Sequence, residues 1–336
     1  MKRILYIGNN LKTKNANISS IQVLGGLMER EGLKVHYASS KANKVLRLLD
    51  MIYTVLLLCR RIDYVIIDTY STHNFYFALI ISQLCRILRI KYIPNLNGGN
   101  LPARLEKNNF LSRLIFNNSY LNVSPSHYLK DAFSRYGYEN VRYIPNTIEI
   151  TKYKFEIRSF ERIKMLWVRS FSQIYNPEMA VHVLRKLIDL GFDSELCMVG
   201  PDSDGSLQKV KSLSKKLDVE VKLTGKLKKS EWIELAKDYN VFINTTNFDN
   251  TPVSVIEAMA LGLPIVSTDV GGIPYLINDH LEGVLIEADN ADSMVQAILN
   301  ISFNKEFAEN IAKNARRKVE QFDWEVVKHA WLEVLA

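Results

Sequence analysis

Short apolar runs that alternate with longer helix-like segments are the feature that most constrains the fold of this 336-residue chain. The first six runs are Ile4–Ile7, Val35–Ala38, Val65–Ile67, Tyr92–Pro94, Leu121–Val123 and Val141–Ile144. The second six are Met165–Val168, Leu196–Val199, Val219–Leu223, Val241–Ile243, Ile265–Ser267 and Val284–Ile286. Strands that alternate with helices form parallel βαβ units. The sequence therefore predicts an α/β protein with two doubly wound, Rossmann-like domains.

The length of the chain agrees with two domains, because a single hydrophobic core rarely organises so many residues. The periodicity lapses over Ile144–Phe155 and then a new strand begins, so we place the first domain at residues 1–150. Ligands of doubly wound folds bind at the carboxyl ends of the strands. We therefore expect a ligand in a cleft that the two domains face.

Positive charge is concentrated in the first half of the chain. Residues 1–150 carry 20 Lys and Arg against 9 Asp and Glu, whereas the whole chain has a net charge of +7. This excess predicts an anionic partner such as nucleic acid, a phosphorylated lipid or an anionic membrane, with a solvated basic surface as the alternative. The apolar run Val45–Arg61 ends in two arginines and is too short to span a bilayer of roughly 30 Å. It fits either a membrane-interface helix or a core helix.

The three cysteines, Cys59, Cys85 and Cys197, are too few and too scattered for a disulfide framework or a metal cage. Each lies in an apolar run, where a buried thiol is the simplest interpretation. The N-terminal segment MKRILYIGNN resembles a first strand and not a signal peptide. These features predict a cytoplasmic protein.

The segment Asn247–Pro274 contains the strongest candidate site. Thr251-Pro252 has the composition of a helix start, and the helix should run to about Leu261 and end at Gly262. The N-terminus of a helix attracts phosphate, so the backbone of residues 250–254 is a candidate diphosphate cradle. Glu257 lies one turn further along, on the face of Val253, and its carboxylate suits the two vicinal hydroxyls of a ribose. Asp249 suits the hydroxyls of a sugar that lies beyond the phosphates. The alternatives are that Glu257 faces solvent and that Asp249 is an ordinary turn residue.

The sequence FDNTPVSVIEAMALGLPIVSTDVGGIPYLI resembles the donor-binding signature of the family 4 retaining glycosyltransferases, which have the GT-B fold. The resemblance implies that Glu257 holds the ribose, that Asp249 and the backbone of Asn250, Thr251, Pro252 and Val253 hold the transferred sugar, and that Lys226 lies near the base. Other segments agree. Arg142–Ile150 is similar to the end of the family's first domain, and Gln321–Trp331 to its closing helix. This implies a second domain at residues 151–318 and a C-terminal helix, residues 319–336, that packs back toward the first domain.

Departures from the family pattern are found at three places. Where the family commonly has an arginine and a lysine for the donor diphosphate, this chain has Ser170 and Tyr175, so Arg169 is our choice for that role and Lys226 the reserve. Asn97 stands where a histidine is common, although Gly98 and Gly99 still allow backbone N–H groups to approach a ligand. The glycine-rich loop after the first strand is altered over residues 8–20.

Two other patterns in the sequence could indicate functional residues. Asp202 and Asp204 have the Asp-x-Asp spacing of a metal site, but turns often contain this pattern, so no metal and no other cofactor is expected. His73 could face the cleft, and an ordinary surface histidine is the alternative.

These observations and the resemblance predict a retaining, metal-independent glycosyltransferase that moves a sugar from a nucleotide-diphosphate sugar to a lipid-linked or polysaccharide acceptor. Capsule or lipopolysaccharide synthesis at the inner face of the plasma membrane is the expected setting, with peripheral contact to anionic lipid and no nucleic acid partner. A nucleotide-sugar epimerase and a non-catalytic sugar-nucleotide-binding or scaffold subunit remain open as alternatives.

Overall fold

The computed structural model describes residues 1–11 and 19–336. Most of the altered loop at residues 8–20 therefore lies outside the described residues. The chain divides into two compact units, and each is described by itself. The first unit contains Met1–Thr147 and Trp324–Ala336, and the second contains Ile148–Asp323.

The first part of the chain forms six strands and six helices within the described residues. They are β1 (Arg3–Ile7), α1 (Ser20–Arg30), β2 (Lys34–Ala38), α2 (Lys44–Leu58), β3 (Tyr64–Thr69), α3 (Asn74–Ile87), β4 (Lys91–Leu96), α4 (Leu101–Lys107), α5 (Asn109–Phe116), β5 (Asn122–Ser124), α6 (His127–Arg135) and β6 (Val141–Tyr143). The strands form one parallel sheet in the order β2-β1-β3-β4-β5-β6.

The second unit repeats this design. It contains β7 (Ile163–Val168), α7 (Pro177–Asp189), β8 (Ser194–Val199), α8 (Ser206–Lys216), β9 (Val221–Gly225), α9 (Lys229–Leu235), β10 (Val241–Asn244), α10 (Val253–Leu261), β11 (Ile265–Thr268), α11 (Ile273–Leu276), β12 (Val284–Ile286), α12 (Ala291–Phe303) and α13 (Lys305–Glu320). Its sheet is also parallel, with the order β12-β11-β10-β7-β8-β9. The predicted α/β class with two doubly wound sheets is confirmed.

Apolar side chains on both faces of each strand explain why helices cover both sides of the sheets. In β10, Val241 and Ile243 pack into one hydrophobic cluster, whereas Phe242 between them packs into another on the opposite face. This alternation is the two-residue period of an extended strand. A strand that is buried on both faces needs a helical layer on each side, which is the doubly wound arrangement.

The last helix, α14 (Trp324–Val334), belongs to the first unit. Trp324 and Trp331 are buried in the same cluster as Ile4 of β1. The indole N–H of Trp324 also donates a hydrogen bond of 2.9 Å to the Glu31 carboxylate. The end of the chain therefore completes the hydrophobic layer on one face of the first sheet.

Each sheet has one point at which the strand order reverses. In the first sheet it lies between β1 and β3, and in the second between β7 and β10. The loops that leave two such strands run in opposite directions, so a crevice opens at their carboxyl ends. Within residues 1–11 and 19–336, none of the helices is both long enough and apolar enough to cross a bilayer.

Candidate functional site

Helix α10 starts one residue later than the sequence predicted. Val253 is its first residue, and Pro252, in an extended conformation, occupies the N-cap position without a capping side chain. The expected N-cap at Thr251 is wrong, because the Pro252 carbonyl accepts the first hydrogen bonds, from Val255 N (3.1 Å) and Ile256 N (3.2 Å). The end is as predicted, since Gly262 has a positive φ of 81°.

The first turn of α10 has unused hydrogen-bonding capacity. The first N–H groups of a helix have no acceptor within the helix, and they make its N-terminus attractive to anions. The Ser254 hydroxyl, in the same turn, is buried and has no hydrogen-bond partner among the described residues. A buried hydroxyl of this kind is costly unless something bonds to it. Together these groups form a site that suits a phosphate oxygen.

Glu257 is buried although it carries a carboxylate, with 5% of its side chain exposed. Its Oε1 accepts a hydrogen bond of 2.7 Å from the Tyr153 hydroxyl and forms an ion pair with the Lys229 ammonium. Within the part of the chain that the structure describes, no group hydrogen-bonds to Oε2. One oxygen of Glu257 is thus held in place while the other remains for a ligand.

Tyr153 and α10 are themselves fixed by one arginine. Burial, and then the charge of Glu257, raise the pKa of Tyr153, so its hydroxyl stays protonated and donates to Glu257. One nitrogen of the Arg316 guanidinium donates to the Tyr153 carbonyl (2.8 Å) and to the Ala260 carbonyl (2.7 Å). This contact from α13 ties the end of α10 to the residue that orients Glu257.

Asp249 lies in the loop between β10 and α10, and its backbone is held by two glycines. Its Oδ1 accepts the Asn250 N–H at 2.8 Å, and its carbonyl accepts the Gly272 N–H at 2.9 Å. A Cβ at Gly271 would lie 2.2 Å from the Asp249 carbonyl oxygen, and one at Gly272 would lie 1.9 Å from that of Asn250. Only glycines allow this close packing, which fixes the position of Asp249.

Asp249 forms an ion pair with Arg169, so the residue predicted to hold the transferred sugar contacts the residue predicted to meet the donor diphosphate. Arg169 follows β7 and Asp249 follows β10, so the pair lies at the switch point of the second sheet. The Arg169 guanidinium lies 4.2 Å from the centre of the Tyr175 ring. Its Nε is buried and has no hydrogen-bond partner among the described residues.

Tyr175 stands at the position where the resemblance expects a lysine, and its ring packs against the Arg169 guanidinium. Thr245, after β10, donates a 2.8 Å hydrogen bond from its hydroxyl to the Tyr175 carbonyl. The Asn247 N–H similarly donates to the Ile174 carbonyl at 2.8 Å. The loops that carry Arg169 and Asp249 are thus linked to each other.

Lys226 is exposed and follows β9, the edge strand of the second sheet. Strand β8 separates β9 from β7, which corresponds to about 10 Å across the sheet. Lys226 and Arg169 thus both lie at the carboxyl ends of strands of the second sheet, with β8 between their two strands.

Gly98 and Gly99 lie in the first unit, directly after β4. A Cβ at Gly98 would lie 2.6 Å from the Ser71 nitrogen, so the packing of two loops already requires a glycine there. Asn97 donates a 2.7 Å hydrogen bond from its side chain to Asp68 Oδ1.

Asp68 forms a buried polar cluster at the switch point of the first sheet. Its Oδ1 also accepts hydrogen bonds from the Tyr6 hydroxyl and the Asn95 amide, both at 3.0 Å. Its Oδ2 lies against Gly8, where a Cβ would come within 2.6 Å. Burial raises the pKa of the Asp68 carboxyl to about 6, although these hydrogen bonds act in the opposite direction.

The remaining sequence candidates have structural explanations. Asp204 accepts hydrogen bonds from the Ser172 hydroxyl (2.8 Å) and the Gln173 N–H (2.9 Å) and so joins the loop after β8 to the loop after β7. Asp202 accepts from Gly205 N (3.0 Å) and caps a local turn. Hydrogen bonds from Ser206 and from the Gln173 backbone lower the pKa of Asp204 to about 2. Among residues 1–11 and 19–336, no group of three or more His, Cys, Asp and Glu side chains could hold a metal ion. His73 is exposed at the start of α3.

Most of the second unit matches a known protein family. Residues 149–318, half of the chain, match the family described as glycosyl transferases group 1. The chain belongs to this family. The putative colanic acid biosynthesis glycosyltransferase WcaL of Escherichia coli is 25% identical over 61% of this chain and 51% of its own length. The Escherichia coli UDP-Gal:alpha-D-GlcNAc-diphosphoundecaprenol alpha-1,3-galactosyltransferase is 25% identical over 48% of this chain and 40% of its own length. The chain thus spans about half, or less, of these two relatives.

A solved structure with the same fold covers the whole chain. HepE of Anabaena, determined in complex with UDP-glucose, has a TM-score of 0.81 and 16% identity over 100% of this chain and 99% of its own. This likeness confirms the GT-B fold that the resemblance implied.

Sequence reasoning did not identify Tyr153, Lys229 or Asp68. Tyr153 and Lys229 lie in other elements than Glu257, and no local pattern connects them to it. Asp68 did carry a signal, since it is a carboxylate near the carboxyl end of the buried strand β3, where a ligand is expected in a doubly wound fold.

Proposed function

We propose that this protein is a glycosyltransferase that uses a nucleotide-diphosphate sugar as its donor. The observation that carries the proposal is the grouping of Arg169, Asp249 and the first turn of α10 beside a buried Glu257. A nucleotide-diphosphate sugar has a sugar, a diphosphate and a ribose in sequence. The site offers one group for each part: the Asp249 carboxylate for the sugar, Arg169 with the N-terminus of α10 for the diphosphate, and the Glu257 carboxylate for the ribose.

In this proposal each residue meets one part of the donor. Glu257 Oε2 accepts hydrogen bonds from the ribose hydroxyls, and the N–H groups and Ser254 hydroxyl at the start of α10 bind a phosphate. Asp249 accepts from hydroxyls of the transferred sugar. Asn250, Thr251, Pro252 and Val253 form the backbone around that sugar, and Lys226 lies on the side of the base.

Arg169 has the main electrostatic role. Negative charge grows on the diphosphate as its bond to the sugar breaks, and a preorganised cation stabilises that charge. In the structure the guanidinium is paired with Asp249, and its buried Nε has no partner among the described residues. We propose that the bound diphosphate takes part of this pairing while Tyr175 keeps the guanidinium in place.

The stereochemistry and the metal requirement belong to the same proposal. We propose transfer with retention of configuration, with the donor phosphate itself receiving the proton of the acceptor hydroxyl. Arg169 and the N-terminus of α10 supply the positive charge that a divalent ion would otherwise provide, so the reaction proceeds without a metal. The family 4 resemblance supports both points.

We propose a lipid-linked or polysaccharide acceptor on the side of the basic first unit. The names of the two Escherichia coli relatives refer to colanic acid and to a diphosphoundecaprenol-linked sugar, which supports this class of acceptor. Such an acceptor places the enzyme in the cytoplasm, at the inner face of the plasma membrane, in peripheral contact with anionic lipid.

Donor cleavage without an acceptor tests the proposal. A panel of nucleotide sugars that begins with UDP sugars is incubated with the protein and EDTA, and the released nucleoside diphosphate is measured by ion-exchange chromatography. We expect slow release from one donor, with water as acceptor, and loss of that release in Asp249→Asn. A donor that binds tightly but is never cleaved, even with a lipid-linked acceptor present, would indicate a sugar-nucleotide-binding subunit instead.

A further inference from the structure

Helix α2 has an apolar face on each of two opposite sides. Met51 and Val55 on the inner side are buried in the core of the first unit. Six large apolar side chains on the outer side are between 49% and 67% exposed: Val45, Leu46, Leu49, Tyr53, Leu56 and Leu57. With 3.6 residues per turn, these six positions fall within an arc of about 120°. We call this surface the α2 face.

The exposure of the α2 face does not come from a loosely attached helix. The Asn43 side chain caps the start of α2 by accepting from Val45 N (2.9 Å) and Leu46 N (3.2 Å). The buried Arg47 guanidinium donates to the carbonyls of Lys41 (2.8 Å) and Ala42 (2.9 Å). Arg47 also donates to the Asn9 side-chain oxygen (2.8 Å), after β1, so α2 is fixed to the body of the first unit and presents its apolar side chains outward.

Exposed apolar side chains also occur on the neighbouring helices. Helix α3 packs against both α2 and α5. It exposes Tyr76, Ile80 and Ile87, and α5 exposes Phe110. An exposed apolar surface as large as the α2 face marks a site of interaction with a protein or a membrane.

Unpaired positive charge lies at both ends of the α2 face. Lys41 and Lys44 precede or begin the helix, and Arg60 and Arg61 follow it; all four are exposed. In the chain as described, none of these four cations is paired with a carboxylate. Asp50, the one acidic residue in the α2 sequence, is half-buried.

We propose that the α2 face docks onto a membrane that contains anionic lipids, with α2 lying in the plane of the interface. Its 15 residues extend about 22 Å, too short to cross a bilayer. A helix in the interface buries its apolar side chains at the boundary of headgroups and acyl chains, while Lys and Arg bind the lipid phosphates.

Charge favours a membrane over a second copy of the chain as the occupant. A two-fold symmetric dimer brings the same surface of both copies together, so Arg60 and Arg61 at one end would face Lys41 and Lys44 or their own equivalents. In such a dimer these lysines and arginines would repel one another across the interface. An anionic lipid surface supplies the opposite charge at both ends of the helix.

The biological purpose of this membrane contact rests on the proposed function, and the α2 face is the surface that would make the contact. Docking through α2 would keep the enzyme at the surface where a lipid-linked acceptor resides. The physical contact itself does not require a bound donor, so it is measured independently of catalysis.

Vesicle flotation with the full chain tests the inference. Vesicles contain phosphatidylcholine alone, or with about one third phosphatidylglycerol, at low and at high salt. We expect wild-type protein to float with the anionic vesicles, and more weakly at high salt because the ions screen the lipid charge. The double variant Leu46→Asp/Leu57→Asp should bind at least about ten-fold more weakly, since it places charge in the apolar boundary.

The matched control is Leu190→Asp/Leu281→Asp, in which two leucines of similar exposure in the second unit are replaced. This control should float like wild type. The variant Arg60→Gln/Arg61→Gln should lose about five-fold in anionic vesicle binding per cation removed. Circular dichroism checks that each variant is folded, which we expect because all the changed side chains are exposed.

Three results would overturn the inference. One is a wild-type protein that stays in the vesicle-free fraction at low salt, and another is equal flotation of wild type and Leu46→Asp/Leu57→Asp. The third is a dimer, detected by light scattering, that this double variant dissociates, since the face would then be a self-interface. Thermal shift with nucleotide sugars on the same samples separates the two proposals. Donor binding without flotation refutes the membrane contact alone, and flotation without donor binding refutes the donor site alone.

Discussion

The Arg169 guanidinium and the Asp249 carboxylate form an ion pair at the point where the second sheet reverses its strand order. Arg169 is stacked on Tyr175, and Asp249 is fixed through the backbone contacts of Gly271 and Gly272. Both charges are therefore held in place before a ligand binds. Such preorganisation is the property that electrostatic stabilisation of a leaving diphosphate requires.

Replacing Arg169 tests its role in the departure of the diphosphate. We expect Arg169→Gln to lower kcat for nucleoside diphosphate release by about 10²–10³-fold, the range seen when one preorganised electrostatic contact is lost. Arg169→Lys should fall between this variant and wild type, because lysine keeps the charge but lacks the planar fork of donors. The control is Lys313→Gln on α13, which removes only a surface ion pair with Glu309. A kcat in Arg169→Gln equal to that of wild type would show that the cation has no part in the reaction.

Gly271→Ala tests whether the close packing beneath Asp249 is needed. The added Cβ would lie 2.2 Å from the Asp249 carbonyl oxygen, at a residue whose φ is +56°. We expect a loss of about 1–3 kcal/mol in the free energy of unfolding, measured in urea, and weaker donor binding. Gly26→Ala is the control, because a Cβ there meets nothing within 4 Å and Gly26 lies inside α1. This control should gain about 0.5–1 kcal/mol. Unchanged donor affinity in a folded Gly271→Ala would contradict the account.

A double-mutant cycle measures the contact between Lys229 and Glu257. Lys229→Gln leaves the buried Glu257 carboxylate without its cation, so we expect a stability loss of about 1 kcal/mol, moderated because the lysine is partly exposed. The coupling energy with Glu257→Gln should lie within about 0.5–3 kcal/mol. The exposed Lys313–Glu309 pair on α13 is the matched control, with an expected coupling of about 0.2–0.5 kcal/mol. Equal coupling energies in the two pairs would mean that the burial of Glu257 does not strengthen its interaction with Lys229.

Asp68 should make the stability of the first unit depend on pH. Its pKa is about 6 in the folded protein, against an ordinary value of 3.8, so the folded state binds the proton more tightly than the unfolded state. The contribution of Asp68 to stability is therefore greatest below pH 4, falls as the pH rises from about 4 to about 6, and is lower by about 3 kcal/mol above that range.

Urea denaturation of wild type and Asp68→Asn at several pH values tests this dependence. Other groups titrate equally in both proteins, so the difference in the free energy of unfolding isolates Asp68. The variant should gain stability relative to wild type between pH 4 and pH 7. A difference that stays constant over this range would show that Asp68 does not titrate there.

The twelve strands could be predicted from the sequence because each is a short apolar run, and the structure contains all of them with shifts of at most two residues at their ends. Gly262 could likewise be predicted as the end of α10, since it follows the last apolar residue of the helix. These are local properties of the chain, and local patterns reveal them.

Side-chain pairing could not be predicted in the same way. Glu257 and Asp249 stood out as carboxylates around a helix start, but the contacts of Glu257 with Tyr153 and Lys229 join distant segments. Tyr175 appeared only as a missing lysine, and its position beneath Arg169 depends on how the loop after β7 folds back. The outward apolar face of α2 also required the structure, because an apolar helix sequence does not indicate which of its faces is covered.

The binding of a nucleoside diphosphate by Glu257 and the start of α10 can be measured by calorimetric titration. Wild type and Glu257→Gln are each titrated with a panel of nucleoside diphosphates and their sugars. We predict that one base binds wild type without added metal. Glu257→Gln should bind it about 10–100-fold more weakly, because hydrogen bonds to a charged carboxylate contribute about 1.5–3 kcal/mol. Binding of equal strength to both proteins, or no binding of any member of the panel to wild type, would contradict the account.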